Sequence, residues 1–188
     1  MTDEARLTSI LRHSPRVMTV LSTVRDVGLA DALLFSGAVY QTVWNALTDR
    51  PADYGIKDYD VGYFDEDLSL PAEQRAIDLV AAALPPPLRA MVEVRNQARV
   101  HLWFEKHYGR PYTPLRSTAD ALSRALCTAH GVGVRLGRDD SLTVHAPFGL
   151  ADVFAMRLRL SPAHSASPDW EGVVTSTRSR WPEVQVAP

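Results

Sequence analysis

Between residues 36 and 65 the chain sets a glycine turn, a helical run and a strand carrying two aspartates one residue apart. The turn is Ser36-Gly37-Ala38-Val39, and the later segment reads Lys57-Asp58-Tyr59-Asp60-Val61-Gly62-Tyr63-Phe64-Asp65. Alternate residues of a strand share a face, so Asp58 and Asp60 aim two carboxylates at one spot. A glycine turn that opens a helix presents backbone N–H groups suited to a phosphate. Such an order would place a metal-binding face beside a phosphate-cradling turn.

Length and composition narrow the alternatives. With 188 residues one domain is expected. It divides into an N-terminal helical segment (1–29), a core carrying the site (30–160) and a C-terminal helix and tail (161–188). A chain of this length buries about 70% of its unfolded surface, so folding needs no disulfide or structural metal. A formal net charge of −2 excludes a protein that coats nucleic acid through bulk charge. Cys127 is the single cysteine, so no intrachain disulfide forms, which fits a reducing cytoplasm. It falls in a helical pattern and is expected to be a packed thiol rather than a nucleophile. The first residues carry Asp3, Glu4 and Arg6 without an apolar stretch, so no signal peptide is expected. The longest apolar run, 79–84, is too short to cross a membrane.

Periodicity and punctuation give the elements. Helices are expected at 4–12, then from Ser14-Pro15 to Gly28, and at 38–47. Strands are expected at 32–35 and 58–64, separated by a loop at 49–57. Ser69 starts a helix that cannot pass Pro85-Pro86-Pro87. A third strand covers 88–94 and is extendable to His101. A helix follows from Ser117 to Cys127, then a hairpin of 131–136 and 142–145 around Gly137-Arg138-Asp139-Asp140. The remainder reads as a helix at 149–160, a polar loop at 161–168 and a last helix from Asp169 towards Trp181-Pro182. The result is an α/β (α+β) chain whose small mixed β-sheet is flanked by helices.

Two adjacent carboxylates repel by about 3–4 kcal/mol at an effective dielectric of 20. A fold keeps them when a cation or a partner offsets that cost; Lys57 is the alternative partner to a metal. A two-metal site calls for a third carboxylate. Glu93, alternating with Val92 and Val94, faces away from the core and is the candidate, with an ion pair to Arg95 as the competing role. Asp65 is expected at the strand end. Asn96, Gln97, Arg99 and His101 form a polar cluster that serves either nucleotide or acceptor recognition or strand-end hydrogen bonding. The histidines show no zinc spacing. Neither a G-x-S-x-G elbow nor a P-loop is present. Trp44, Trp103, Trp170 and Trp181 read as core or interface anchors before stacking platforms.

Taken together, Ser36-Gly37-Ala38-Val39, Val43-Trp44-Asn45, Asp58-Tyr59-Asp60-Val61 and Tyr63-Phe64-Asp65 resemble a bacterial nucleotidyltransferase-like family of the polymerase-β-like superfamily. The resemblance continues through residues 96–101 and 146–152 to Trp181-Pro182, about 30–186 in all. It implies a polymerase-β-like nucleotidyltransferase fold, with Asp58, Asp60 and Glu93 as catalytic residues and ligands of Mg²⁺ or Mn²⁺. Ser36 and Gly37 would bind the phosphates of an NTP, with Asn96, Gln97 and Arg99 as further nucleotide contacts. A hydroxyl acceptor (protein, RNA or small molecule) would take the nucleotidyl group and release pyrophosphate. One departure matters: Tyr40-Gln41 stands where the family carries an arginine after the valine of the turn, so a fixed cation near the phosphates is lost. That loss favours a rival reading, a catalytically silent nucleotide- or protein-binding module on the same fold.

Overall fold

The computed structural model describes residues 1–164 and 167–187. Residues 165 and 166 of the expected polar loop, and Pro188, lie outside the described residues.

Two helices open the chain. In α1 (Asp3–Arg12) the Thr2 hydroxyl accepts from the Ala5 N–H, and Leu7 and Leu11 are buried. In α2 (Pro15–Val27) proline occupies the first turn, where its missing N–H costs nothing, and Gly28 ends the helix at φ 77°. Ser14 stands at the N-cap of α2, but its hydroxyl makes no capping bond. Then come β1 (Leu33–Phe35), α3 (Gly37–Leu47), β2 (Tyr59–Tyr63), α4 (Leu70–Ala83), α5 (Pro86–Arg89) and β3 (Val92–Asn96). The rest is α6 (Val100–Tyr108), α7 (Thr118–Leu122), β4 (Gly133–Leu136), β5 (Leu142–His145), α8 (Ala151–Phe154), β6 (Arg157–Leu158), α9 (Trp170–Arg178) and β7 (Gln185–Val186).

Five strands form one mixed sheet in the order β3-β2-β1-β4-β5. Strand β2 runs parallel to β3, and the other neighbours are antiparallel. The register separates two faces. Leu34, Tyr59, Val61, Tyr63, Val94 and Val134 point to one side and belong to the buried core, which α1 to α4 complete. Phe35, Asp60 and Glu93 align in one row on the opposite side, and Gly62 aligns with Arg95 in the next. Gly62 is glycine because a Cβ there would lie 2.4 Å from Phe35 Cε1 and 2.9 Å from Thr118 Cγ2. The Phe35 ring therefore lies against β2 at Gly62, and Thr118 of α7 covers the same spot.

Several elements differ from expectation, each for a local reason. The third strand starts at Val92 rather than at 88, because Pro85-Pro86-Pro87 starts a helical turn instead of only stopping one. Beyond Asn96 the chain becomes a 3-10 turn and then α6, not a strand reaching His101. Asn96 causes the switch, since its side chain accepts the Ala98 N–H and caps the turn. The helix expected to reach Cys127 ends at Leu122. Cys127 is extended and bridges Leu160, is fully buried, and burial pushes its thiol up to about 12. It is a packed, unreactive group, as expected, but not on a helix. The helix expected over 149–160 lasts one turn, because Met156 adopts φ 48° and sends the chain into β6, which pairs in parallel with β7. Leu102, Trp103 and Tyr108 are exposed along α6, whereas Trp44 and Trp181 have no exposed surface.

Candidate active site

The turn and the two aspartates meet as the spacing required. Strand β1 ends at Phe35, paired with Asp60, and the chain turns at once into α3. A Cβ built on Gly37 would lie 4.0 Å from Asp58 Oδ1 and 3.3 Å from Gln41 Nε2, so the Asp58 carboxylate sits directly beside the first turn of α3. Ser36 holds φ 57° and ψ −125°, a conformation that glycine adopts readily and serine only under strain. Its N–H is held by the Val132 carbonyl at 2.8 Å. The Ser36 hydroxyl makes no capping bond to α3. The helix N-terminus, with its partial positive charge, is thus left without a side-chain cap next to the carboxylates.

Asp60 and Glu93 are register partners on neighbouring parallel strands, so their side chains leave the same face side by side. Burial first, then the charges of Asp58 and Glu93, push the Asp60 carboxyl up to about 7, with Arg95 acting in the opposite sense. The three carboxylates share one electrostatic environment, in which Arg95 only partly offsets their mutual repulsion. The competing partners are weak. Among the described residues Lys57 makes no ion pair, and the Arg95–Glu93 pair spans 3.7 Å between side chains that are both more than half exposed, a geometry of little energetic weight. Among the described residues no three or more His, Cys, Asp or Glu side chains are grouped closely enough to hold a metal ion. The donor set is nevertheless all carboxylate, which suits a hard cation such as Mg²⁺ or Mn²⁺.

The polar cluster after Glu93 divides. Asn96 is buried; its amide donates to the Asp65 carbonyl at 2.9 Å and its Oδ1 accepts from the Asp65 and Ala98 N–H groups. Arg99 is buried against Glu73, and its Nε donates to the Leu68 carbonyl at 2.9 Å. Glu73 also accepts the Asn96 N–H. These two side chains tie the 65–68 loop and α4 to the end of β3, and they do not face the carboxylates. The contacts they make are strand-end hydrogen bonds, the alternative role expected for them. Gln97 differs: its Cγ comes within 3.1 Å of a Cβ built on Gly62, which puts it on the carboxylate face. Asp65 sits beyond the end of β2, as expected.

Sequence reasoning missed the groups behind the turn. Tyr40 is buried, with its ring stacked on His130 at 4.7 Å and 7°. Gln41 Nε2 donates to the Tyr40 hydroxyl at 3.1 Å. Burial raises the Tyr40 phenol above its ordinary range and lowers His130 to about 4, Arg180 adding to the effect on His130. Both are therefore neutral near pH 7. Arg180 reaches this place from 140 residues downstream of Tyr40, which no local motif could announce.

The sequence matches the family described as Nucleotidyltransferase over residues 22–186, and the chain belongs to that family. A solved structure whose report states that it "reveals a CCA-adding enzyme head domain" superposes with a TM-score of 0.74 at 26% identity, covering 96% of this chain and 95% of that one. Two others, a "tRNA-processing enzyme complex" and a "tRNA-processing enzyme (apo form I)", share the fold. Their TM-scores are 0.52 and 0.51 at 15% and 16% identity, and 89% of this chain spans 43% and 42% of theirs. No curated protein sequence matches the chain. Among the described residues no helix is long and apolar enough to cross a membrane.

Proposed function

We propose that this nucleotidyltransferase transfers a nucleoside monophosphate from an NTP to a hydroxyl acceptor at the face carrying Asp58, Asp60 and Glu93, releasing pyrophosphate. The observation that carries the reading is Asp60, held at about 7 by burial and by two neighbouring carboxylates beside an α3 N-terminus without a side-chain cap. Asp58, Asp60 and Glu93 would hold Mg²⁺ or Mn²⁺, which when bound neutralises polyphosphate charge and acidifies a nearby hydroxyl. Ser36 and Gly37 bind the β- and γ-phosphates through the backbone of the turn and the start of α3. Gln97 borders the space next to Gly62, where it orients the nucleoside or the acceptor. Glu93, which is exposed, takes the proton of the acceptor hydroxyl. That oxygen bonds to the α-phosphorus while the bond to the bridging oxygen breaks and pyrophosphate leaves. The lone buried thiol is compatible with a cytoplasmic setting.

A second reading, a silent module that binds a nucleotide or a protein without transfer, is favoured by the buried Tyr40 at the position of the turn arginine. One assay separates them. The protein is incubated with each α-labelled NTP, Mg²⁺ or Mn²⁺, and separated RNA, protein and small-molecule fractions of a lysate. Label should pass to one fraction with wild type and fall at least about 100-fold with Asp60→Asn. No transfer with any NTP, or equal transfer by the variant, refutes the proposed chemistry.

A further inference from the structure

The carboxylate face has a direction. Strand β1 runs antiparallel to β2 and delivers the turn to the Asp58 end, where Gly37 and the Asp58 carboxylate meet. In the other direction along β2, Asp60 and Glu93 form one row, and Gly62 and Arg95 form the next. Two residues of strand separate these rows by about 7 Å. Nucleotidyl transfer is in line, so the attacking oxygen enters opposite the leaving pyrophosphate. With the β- and γ-phosphates at the turn, as proposed above, pyrophosphate departs towards the Asp58 end. The acceptor then approaches from the row of Gly62 and Arg95.

That row carries positive charge that the fold leaves uncommitted. Arg95 leaves the same face as Asp60 and Glu93, and its charge reaches Asp60. More than half of its side chain is exposed, and Nη2 comes no nearer to Glu93 than 3.7 Å, which is too long for a hydrogen bond. Among the described residues its guanidinium makes no hydrogen bond. Arg116 stands at the same end, exposed and without an ion pair among the described residues. It lies two residues before Thr118, whose Cγ2 is 2.9 Å from a Cβ built on Gly62. The acidic groups around α7 are engaged: Asp31 binds Arg135 and the Thr118 N–H, and Asp120 binds Arg124 and the Arg116 N–H. A free guanidinium fork at the acceptor end matches a phosphate, which a plain alcohol does not carry.

We infer that the acceptor is a phosphate ester with a free hydroxyl, and that Arg95 holds its phosphate while the hydroxyl faces Glu93. This rests on the transfer reading above and names the acceptor's chemistry. The acceptor oxygen bonds to the α-phosphorus, its proton passes to Glu93 and pyrophosphate leaves, while the acceptor's own phosphate is unchanged. The 3′-end of an RNA meets this description as a diester, and a small phosphorylated alcohol meets it as a monoester. The test uses the lysate fraction that wild type labels from an α-labelled NTP with Mg²⁺, with apparent KM read by diluting the fraction and by varying the NTP. Arg95→Gln should raise the apparent KM for the fraction about tenfold or more, as loss of a charge-assisted bond does. It should change KM for the NTP less than about twofold on the same grounds. Arg95→Lys keeps the charge without the fork and should fall between wild type and Arg95→Gln. The Mg²⁺ concentration for half-maximal rate should not rise, because removing a cation beside the carboxylates favours a metal ion. Arg95 is exposed, so both variants should fold, which an unchanged unfolding temperature checks. Pretreating the fraction with alkaline phosphatase should abolish labelling of a monoester, and pretreating it with ribonuclease should abolish labelling of an RNA end. Labelling that survives both treatments overturns the inference, as does an unchanged KM for the fraction. An NTP KM raised as much as the acceptor's also overturns it and places Arg95 on the α-phosphate. A wild type that labels no fraction ends the transfer reading, and calorimetric titration with inorganic phosphate and Mg²⁺ then reads the subsite alone. Phosphate affinity lowered about tenfold by Arg95→Gln would keep the anion subsite, and unchanged or undetectable binding would overturn it.

Discussion

Removing one charge from the candidate site should stabilise the metal-free protein, and only at the pH where that charge exists. The Asp60 carboxyl moves from 3.8 to about 7 on folding because burial and the charges of Asp58 and Glu93 oppose its ionisation. A group whose folded pKa lies above its unfolded value costs nothing below the lower value. The cost then grows as pH rises between the two and is complete above the higher one. At about 1.36 kcal/mol per unit, the shift sets an upper bound of about 4 kcal/mol. Asp60 keeps some solvent exposure, so we expect about 1–2 kcal/mol after screening. Asp60→Asn removes the charge at nearly constant volume. In EDTA, thermal unfolding at pH 8 should place the variant about 2–8 °C above wild type for a chain of this size, and at pH 4 the two should coincide within about a degree on the same scale. Guanidinium melts at the same two pH values check that the slope is unchanged. A variant less stable than wild type at pH 8 would mean that Asp60 is an ion-pair partner. A difference independent of pH would mean that no carboxylate repulsion is stored there. Either result removes the electrostatic basis of the candidate site.

Ser36→Gly should relieve the strain of φ 57° and ψ −125° and raise stability by about 1 kcal/mol, read by denaturant melts; a loss of stability would show that the serine side chain holds the turn. Arg99→Met leaves the Glu73 carboxylate buried without its partner and should cost about 3–5 kcal/mol in the same melts, while the ATP-to-AMP affinity ratio of whatever protein folds stays at the wild-type value. A changed ratio with intact stability would return Arg99 to the nucleotide site.

What could be read in the sequence was whatever neighbours along the chain decide. The turn, the helix after it and the alternation of Asp58 and Asp60 are local, and the structure places them together. Glu93 was legible by the same alternation, although its pairing with Asp60 depends on the parallel register of β2 and β3, which no single segment encodes. The polar run after Glu93 left two roles open because residue type does not reveal direction. Asn96 and Arg99 are polar, but Glu73 and the 65–68 backbone, supplied by another part of the chain, draw them inward. The helix expected over 149–160 failed for a similar reason: pairing with Gln185 and Val186, 25 residues or more further on, outweighs its apolar periodicity.

The scattered fragments of the resemblance acquire a physical reason only in three dimensions. Val43-Trp44-Asn45, the 146–152 segment and Trp181-Pro182 are far apart in sequence, and hydrogen bonds tie α3 to the residue that follows the second and to the third: Trp44 Nε1 donates to the Val153 carbonyl at 2.8 Å, and Trp181 Nε1 to Asn45 Oδ1 at 2.8 Å. Both indoles are fully buried, so each N–H needs a partner, and α3 is the element that supplies or receives both. The helix whose first turn faces the carboxylates is thereby fixed at its other end to the C-terminal segment. Arg180 follows from that attachment. Because Trp181 must reach Asn45, the residue before it is carried to the Gly55 loop behind the turn.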